Sequence, residues 1–513
     1  MSSKADNPGA VGIIQEEQRP AVLICRSAYG GTLVLRKAPD LLPQYEMEDQ
    51  GVYDDRLEQT VLFNATKKTI KTLTGIVFRK QPTIEETLLP AIRDHLENID
   101  LTGQSIQVVA QQEFREKQID GHVHILVDWH GPEGARSSLE EQRAGMGRPY
   151  WTLIFKSQEV RSEPKNDGGQ TVLLSFAYEE QVIRRKGEFE QVEVNRIRQF
   201  DLTDSAGNII KEDDPLPPEE GRRVLFRSWL ETKPESKEWD VEEPGKLLGP
   251  NMNEIPVVTD YAERTGFGQS DPPHLDLALE NLKHWQIRSD RDQSLHTVSI
   301  PVFCTFGPKA EDLQTFPVGT TYGFAFEGSR TDEGAEYVEA QGHGLEHTRT
   351  ELLDIQQRMA ALGSSMLERS TRQAETEDKV RLDQKGQDSE LANQARLTNS
   401  ALGEALRIHA KWLGKEPGGG IFLNTDYSAL VLKAEDIDVL LKAVGEGALS
   451  LETFWGRLLV GKVLGDDFDP DLEKDRISQG GEASMRLIAE AMRATRTTQV
   501  GDNALPEAGG DAE

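Results

Sequence analysis

Leu345-Glu-His-Thr-Arg-Thr-Glu-Leu-Leu-Asp-Ile-Gln-Gln-Arg-Met-Ala-Ala-Leu-Gly-Ser-Ser-Met-Leu367 is the stretch whose reading decides the fold. Leu345, Leu352, Met359 and Met366 recur every seven residues, and Thr348, Ile355 and Leu362 form a second column three residues on. That a/d pattern marks a helix packed along another helix. Its partner lies upstream, over 273–296, where Leu275, Ala278, Leu279, Leu282 and Trp285 make one apolar stripe behind Pro272 and Pro273. Between the two, Ile300-Pro-Val-Phe-Cys-Thr-Phe306 and Thr320-Thr-Tyr-Gly-Phe-Ala-Phe326 are short, aromatic and β-branched, and read as strands. Two long helices carrying a small β insert at their far end make a stalk with a tip. An isolated hairpin of this kind exposes apolar surface that side-by-side copies would cover, which points to a ring or bundle.

Downstream, 368–388 mixes charges of both signs (Arg369, Arg372, Lys379, Arg381, Lys385 among acids) with hardly an apolar residue, and reads as a loop or an exposed helical extension. A helix follows over 389–413, with Leu391, Ala395, Leu402, Ala405, Leu406 and His409 on one side, and Gly418-Gly-Gly420 is read as its stop. Further helices are expected at 434–445, at 450–464 behind Ser450 as N-cap, and at 481–496, before an acidic tail of disordered character.

Upstream, residues 1–20 read as a mobile arm, and 21–25 and 32–35 as strands. One helix is expected over 53–75 and two short ones over 88–99 and 103–118. Strands are expected over 123–129, 148–155, 171–178, 192–200 and 223–230, spaced as an antiparallel meander. The acidic, Pro-bearing segments 211–221 and 231–245 read as surface loops or disordered insertions.

The formal net charge of −30 argues against non-specific nucleic-acid binding, while suiting a wall past which a polyanion slides. Two distant cysteines, Cys25 and Cys304, exclude a disulfide framework and read as buried thiols in a reducing compartment. Residues 1–19 lack a signal peptide's apolar core and no stretch is long enough to span a bilayer, so a soluble, intracellular product without membrane partners is expected.

Candidate chemistry is sparse, and neither an enzyme nor a cofactor or metal is expected. His122-Val-His124 places two imidazoles on one strand face, with His130 beyond, but no acidic or Cys partner stands at a recognisable spacing; strand-edge or surface histidines are the plainer reading. His343 and His347 are four apart, but Glu346 adjoins the second His, the wrong order for an HExxH site. Asp466-Asp-Phe-Asp-Pro-Asp471 lacks the glycine and terminal glutamate placement of an EF-hand and reads as a solvated loop leading into a helix.

Four stretches resemble the portal proteins (head-to-tail connectors) of tailed bacteriophages, more narrowly a portal family built on an uncharacterised domain. Residues 53–82, ending Gly75-Ile-Val-Phe-Arg-Lys-Gln-Pro82, resemble the family's N-terminal helix and its stop. Pro272–Trp285 with Ser289-Asp290 resembles the first stem helix, Met359-Ala-Ala-Leu-Gly-Ser-Ser-Met-Leu367 the end of the second, and Leu423-Asn-Thr-Asp-Tyr427 with 461–470 the C-terminal module. The resemblance implies a helix-rich α+β portal fold: arm 1–20, wing 21–270, stem helix 271–298, β-containing clip 299–341, stem helix 342–367, tunnel loop 368–388, wing helix 389–414, a helical wing or crown module 415–480, and a terminal helix and tail 481–513. It implies a dodecameric ring at one capsid vertex of the virion, made in the host cytoplasm. Double-stranded DNA enters and leaves through the ring, terminase and then a head–tail adaptor dock on it, and major capsid protein or scaffold surrounds it. Arg369, Arg372, Lys379, Arg381 and Lys385 become candidates for DNA contact in the channel. The stem would pack through Leu275, Leu279, Leu282, Trp285, Leu345, Leu352, Ile355, Met359, Leu362 and Met366. The arm and the two acidic insertions depart from the family pattern. An oligomeric adaptor or scaffold that conducts no DNA remains an alternative, and a His-based metalloenzyme a second.

Overall fold

A computed structural model describes residues 7–130, 147–234, 236–299, 302–306, 334–338, 342–363, 377–425, 434–445, 449–460 and 468–474. The chain is α+β and divides into two compact units, Met1–Tyr427 and Ser428–Glu513.

The first unit opens with helices α1 (Ile13–Gly30), α2 (Thr32–Leu35), α3 (Gln50–Gln59) and α4 (Ala65–Val77). Residues 13–20, expected in a mobile arm, are helical, Gly12 N donates to Val160 O (2.8 Å), and both N-terminal strands are corrected to helix. The reason is period: Cys25 and Ala28, three apart, are buried against Ile70, Ile119 and Ala278, which a strand's alternation would not allow. The single helix expected over 53–75 is two. Its break falls at Thr60–Asn64, where Asn64 Oδ1 accepts from Lys67 N (2.8 Å) as the N-cap of α4.

After a short strand β1 (Thr83–Ile84), the expected helix over 88–99 shrinks to the turn α5 (Pro90–Arg93) and a 3-10 turn. Helix α6 (Ile106–Asp120) then leads through Gly121 (φ +94°) into β2 (His122–His130). This strand is central in an antiparallel sheet ordered β3 (Arg148–Phe155), β2, β9 (Val257–Tyr261).

The expected meander is split: its first two strands, 123–129 and 148–155, lie in the β3–β2–β9 sheet, and the other three in a second sheet in sequence order, β4 (Glu159–Asp167), β5 (Gln170–Lys186), β6 (Glu190–Thr203), β7 (Arg223–Glu231) and β8 (Trp239–Leu247). Strand β8 corrects the reading of 231–245 as loop or disorder. Its acidic residues mask a strand whose Trp239 packs with Trp229 on Val160, Ala177 and Ile197. Residues Gln181–Asn195 of β5 and β6 pair only with each other, so this hairpin overhangs the sheet and ends on an exposed Phe189 (88%).

A short ribbon, β10 (Arg264–Gly266) and β11 (Gln269–Ser270), precedes helix α7 (Leu275–Ser299). Strands β12 (Val302–Phe306) and β13 (Gly334–Val338) pair antiparallel, Val302 opposite Val338 and Phe306 opposite Gly334. Helices α8 (His343–Gly363) and α9 (Glu377–Trp412) follow. The strand expected over 320–326 lies outside the described residues. Helix α9 starts at Glu377 rather than 389, so the charged segment is helical from there on.

Helix α9 ends at Gly414 (φ +65°), not at the triple glycine. Gly418 (φ +77°) instead meets Thr87 O, which a Cβ would approach to 2.6 Å, as the chain runs against 85–89 into β14 (Ile421–Phe422), the partner of β1. One large core joins α6, α9 and both sheets through Phe114, Ile125, Trp151, Phe176, Phe200 and Leu402.

The second unit, where described, holds α10 (Ala434–Gly445) and α11 (Leu451–Val460), with Phe454, Trp455 and Leu458 as its core. Ser450 Oγ accepts from Thr453 N (3.2 Å), capping α11, and Asp469 Oδ1 accepts from Asp471 N (2.9 Å), so that acidic run does serve as a helix start. The helix expected over 481–496 lies outside the described residues.

Candidate functional site

Helices α7 and α8 form an antiparallel hairpin. Arg358 Nε donates to Glu280 Oε2 (3.1 Å), Gln356 Nε2 meets His284 Nε2 (3.1 Å), and Val298 lies against Gly342. Leu277, Ile355 and Met359 are buried together at one end with Ala65, and the β12–β13 pair closes the other. At ~1.5 Å per residue α7 is roughly 37 Å long.

The helix α7 buries two faces rather than one. Ala278 packs among Cys25, Ala28 and Ile70, and Trp285 among Leu35, Leu42, Tyr53 and Leu62. Leu275 and Leu282 flank these contacts half-buried. Asn281 Oδ1 accepts from Thr66 N (3.1 Å) and its Nδ2 donates to Phe63 O (2.7 Å), so α7 supplies a side-chain cap to α4. Arg56, buried, donates to Glu48 Oε1 (2.6 Å), Asp290 Oδ1 (2.8 Å) and Pro43 O (3.0 Å), fastening α3 to α7.

Of the ten residues expected to pack the stem, Trp285, Ile355 and Met359 are buried and Leu275, Leu282, Leu345 and Leu352 half-buried. Leu279 and Leu362 are exposed in the single chain, at 43% and 48%. A real helix of 3.6 residues per turn drifts off a strict heptad, and the column leaves the seam by Leu362. Leu295 and Leu353 are exposed as well. Met366, Arg369 and Arg372 lie outside the described residues. Lys379, Arg381 and Lys385 fall on the first turns of α9.

A second constellation was discounted by sequence reasoning. His122 and His124, neighbours on one face of β2, are not edge or surface residues: both are buried, with Glu159 of β4. His122 Nε2 stands 3.1 Å and His124 Nε2 3.3 Å from the same atom, Glu159 Oε2. Each Nδ1 faces a hydroxyl, His122 that of Ser270 (2.7 Å) and His124 that of Thr259 (2.9 Å). Gln15 Nε2 donates to Glu159 Oε1 at 2.8 Å. Burial pushes His122 down to about 4. Burial opposes ionisation of Glu159, but hydrogen bonding to His122 and the nearby His124 hold its carboxyl well below the usual range. Glu159 stands 35 residues from His124, at the start of a strand the sequence did not show, so only the folded chain supplies this partner. His347 is exposed, and the side chains of His130 and His343 are not among those described.

A third cluster pins α9. Lys117 Nζ donates to Asp260 Oδ1 (3.0 Å), Gln394 O (2.9 Å) and Thr398 Oγ1 (2.5 Å), all buried. Beside it neither carboxyl oxygen of Glu113 has a hydrogen-bond partner among the described residues, and burial, with Asp260 near, pushes this carboxyl well above the usual range. Farther along α9, Trp151 Nε1 donates to His409 Nδ1 (3.2 Å); because indole only donates, Nδ1 is the acceptor and Nε2–H points at His95 Nδ1 (3.0 Å). Burial, with His95 and Arg148 near, pushes His409 down to about 3. The Cys25 thiol, buried with Asp120 nearby, is pushed up to about 12 and is inert as a nucleophile.

Residues 273–413, the helix hairpin, its insert and α9, match a domain of unknown function, DUF4055. No curated protein matches the chain. Among solved structures it is similar to a chain of the virion of a native gene transfer agent particle (11% identity, TM-score 0.37, covering 77% of this chain and 89% of that one). It is similar to chains of two neck structures of such particles, the native one computed with C12 symmetry (10%, 0.36, 77% and 89%) and the empty one with C6 symmetry (10%, 0.37, 77% and 89%). No described helix is long and apolar enough to cross a membrane.

Proposed function

We propose that this protein is a phage-type portal: identical copies form a ring, dodecameric in the family it resembles, at one vertex of a capsid, and DNA passes through its centre during packaging and ejection. The observation that carries the reading is the α7–α8 hairpin, which buries its root in its own chain yet leaves Leu279, Leu295, Leu353 and Leu362 uncovered. Apolar residues spread along a projecting hairpin are costly to one copy and useful to a ring of them. In this reading the hairpin is the stem and 299–341, which includes the β12–β13 pair, is the clip that meets terminase and later a head–tail adaptor. The helical layers and sheets of 21–270 and α9 form the wing, 415–480 is the helical wing or crown module, and capsid protein or scaffold surrounds the ring. The tunnel segment, 368–388, takes 377–388 from the first turns of α9, and Lys379, Arg381 and Lys385 on those turns are the candidates for phosphate contact on an otherwise acidic chain.

Negative-stain imaging of the purified full chain tests this. A perforated ring is expected; a compact monomer or an unperforated assembly sinks the reading and favours an adaptor or scaffold. Charge reversal at Lys379, Arg381 and Lys385 is expected to impair DNA packaging with rings intact.

A further inference from the structure

We infer that His122, His124 and Glu159 form a binding site for one divalent transition-metal ion of the zinc class. The three ligand atoms lie within 4.8 Å of one another, and both imidazoles aim Nε2 at one carboxylate oxygen. Edges of 3.1 and 3.3 Å from nitrogen to oxygen suit a tetrahedron whose bonds to metal are ~2.0–2.1 Å. Imidazole and carboxylate together are the donor set of zinc and its neighbours rather than of calcium or magnesium.

The outer contacts point the same way. A metal-bound imidazole holds its proton on the far nitrogen, donating it to an oxygen. Here each far nitrogen, Nδ1, already faces a hydroxyl, Ser270 Oγ or Thr259 Oγ1, that can accept that proton and leave Nε2 as a lone pair. Gln15 holds the second carboxylate oxygen, fixing the plane of Glu159.

Charge gives an independent argument. Glu159 is buried, and among the described residues only His122 and His124 stand within ion-pair distance of it. Neutral imidazoles and Gln15 give this charge hydrogen bonds but no opposite charge, and Lys156 acts on it only from beyond ion-pair distance. A bound cation supplies the missing charge. A cavity of ≈ 420 Å³, lined by Gln15, Val22, Leu23, Arg26, Lys156 and Glu159 among others, reaches Glu159, while neither histidine lines it. The ligands come from strands of two different sheets, β2 and β4, so the ion would tie these sheets together, with α1 held to them through Gln15. The inference does not depend on the portal reading.

The test uses the full chain without a polyhistidine tag, stripped with chelator and titrated with Co2+ and then Zn2+. One Co2+ per chain is expected, with the visible absorption of a low-coordinate nitrogen/oxygen site that Zn2+ abolishes. His124→Gln should lose the stoichiometric site and His347→Gln should keep it. Thr259→Val, which removes only the outer hydroxyl, should weaken binding by about 10- to 100-fold. Folded wild-type protein that takes up no stoichiometric Co2+ overturns the proposal, as does binding unchanged in His124→Gln. If that variant fails to fold, the wild-type spectrum together with the Thr259→Val affinity decides, since an ion held elsewhere on the surface would not respond to Thr259.

Discussion

Helix α9 and the α7–α8 hairpin are both long, charged and amphipathic, and a single copy of the chain treats them in opposite ways. Along Leu391, Ala395, Leu402, Ala405 and Leu406, α9 finds apolar partners within the first unit, and Lys117 reaches its backbone at Gln394 O and its hydroxyl at Thr398. Among the described residues the hairpin is held along α7 from Leu277 to Asp290, by Trp285, Asn281 and Arg56 among others, while leucines remain uncovered along its sides. Its outer charges pair locally, as Arg349 with Glu346 (2.7 Å) and Arg358 with Glu351 (3.2 Å) do, and such surface pairs stabilise little. An amphipathic pattern in sequence therefore says that a face is to be covered, and only the folded chain says whether the cover is its own.

The contrast breaks most visibly at the exposed leucines. Leu353→Asp with Leu362→Asp should abolish ring assembly in sizing chromatography and imaging, while shifting the stability of the single chain by no more than ~0.5 kcal/mol, the usual scale for surface changes. Rings that survive both substitutions would place the subunit seam elsewhere; an unfolded chain would mean these leucines are covered within the copy. The opposite result belongs to α9. Lys117→Met removes the cation between Asp260, Gln394 and Thr398 and strands a buried carboxylate, at a cost of about 3–5 kcal/mol. Chemical denaturation should show that loss in the transition of the first unit, and a loss under 1 kcal/mol, well below the range for broken buried pairs, would mean the pair is dispensable.

Legibility in the sequence followed the range of the interaction. The helix–insert–helix order, helix α6 and most of the meander were readable, because each announces itself by a period of its own residues. Strand β8 was not, since acidic residues hide Trp239, whose role depends on Trp229 and Val160 in other strands. The N-terminal helix was misread because 21–25 is a short apolar run, and such runs do not distinguish strand from helix until Ile70 and Ala278 arrive to cover one side. The heptad correctly implied that α8 packs on a helix but overran the seam at Leu362. The histidine cluster shows the same limit: two ligand positions stand two residues apart and could be seen, whereas Glu159, Gln15, Thr259 and Ser270 are joined to them only by strand register. A local sign of the Lys117 cluster was present, for Glu113 and Lys117 occupy the same face of α6 as Val109 and Ala110.

That face also carries the smallest effect, and the one whose sign is least obvious. Glu113 is buried with no partner for either oxygen among the described residues, so its carboxyl is raised and the folded chain holds it protonated where the unfolded chain does not. A raised carboxyl contributes its stability in full below the unfolded value near 4.5 and loses it as pH climbs toward the folded one. Over that window the folded state forfeits up to about 1.4 kcal/mol per pH unit through this one group. Glu113→Gln removes the titration while keeping the shape. The variant should therefore gain on the wild type as pH rises above about 4.5 toward the folded value, the gap widening by as much as about 1.4 kcal/mol per unit. Denaturation midpoints for both proteins at three pH values read it directly. Parallel profiles would show that Glu113 is ionised in the fold and that Lys117 balances two carboxylates instead of one.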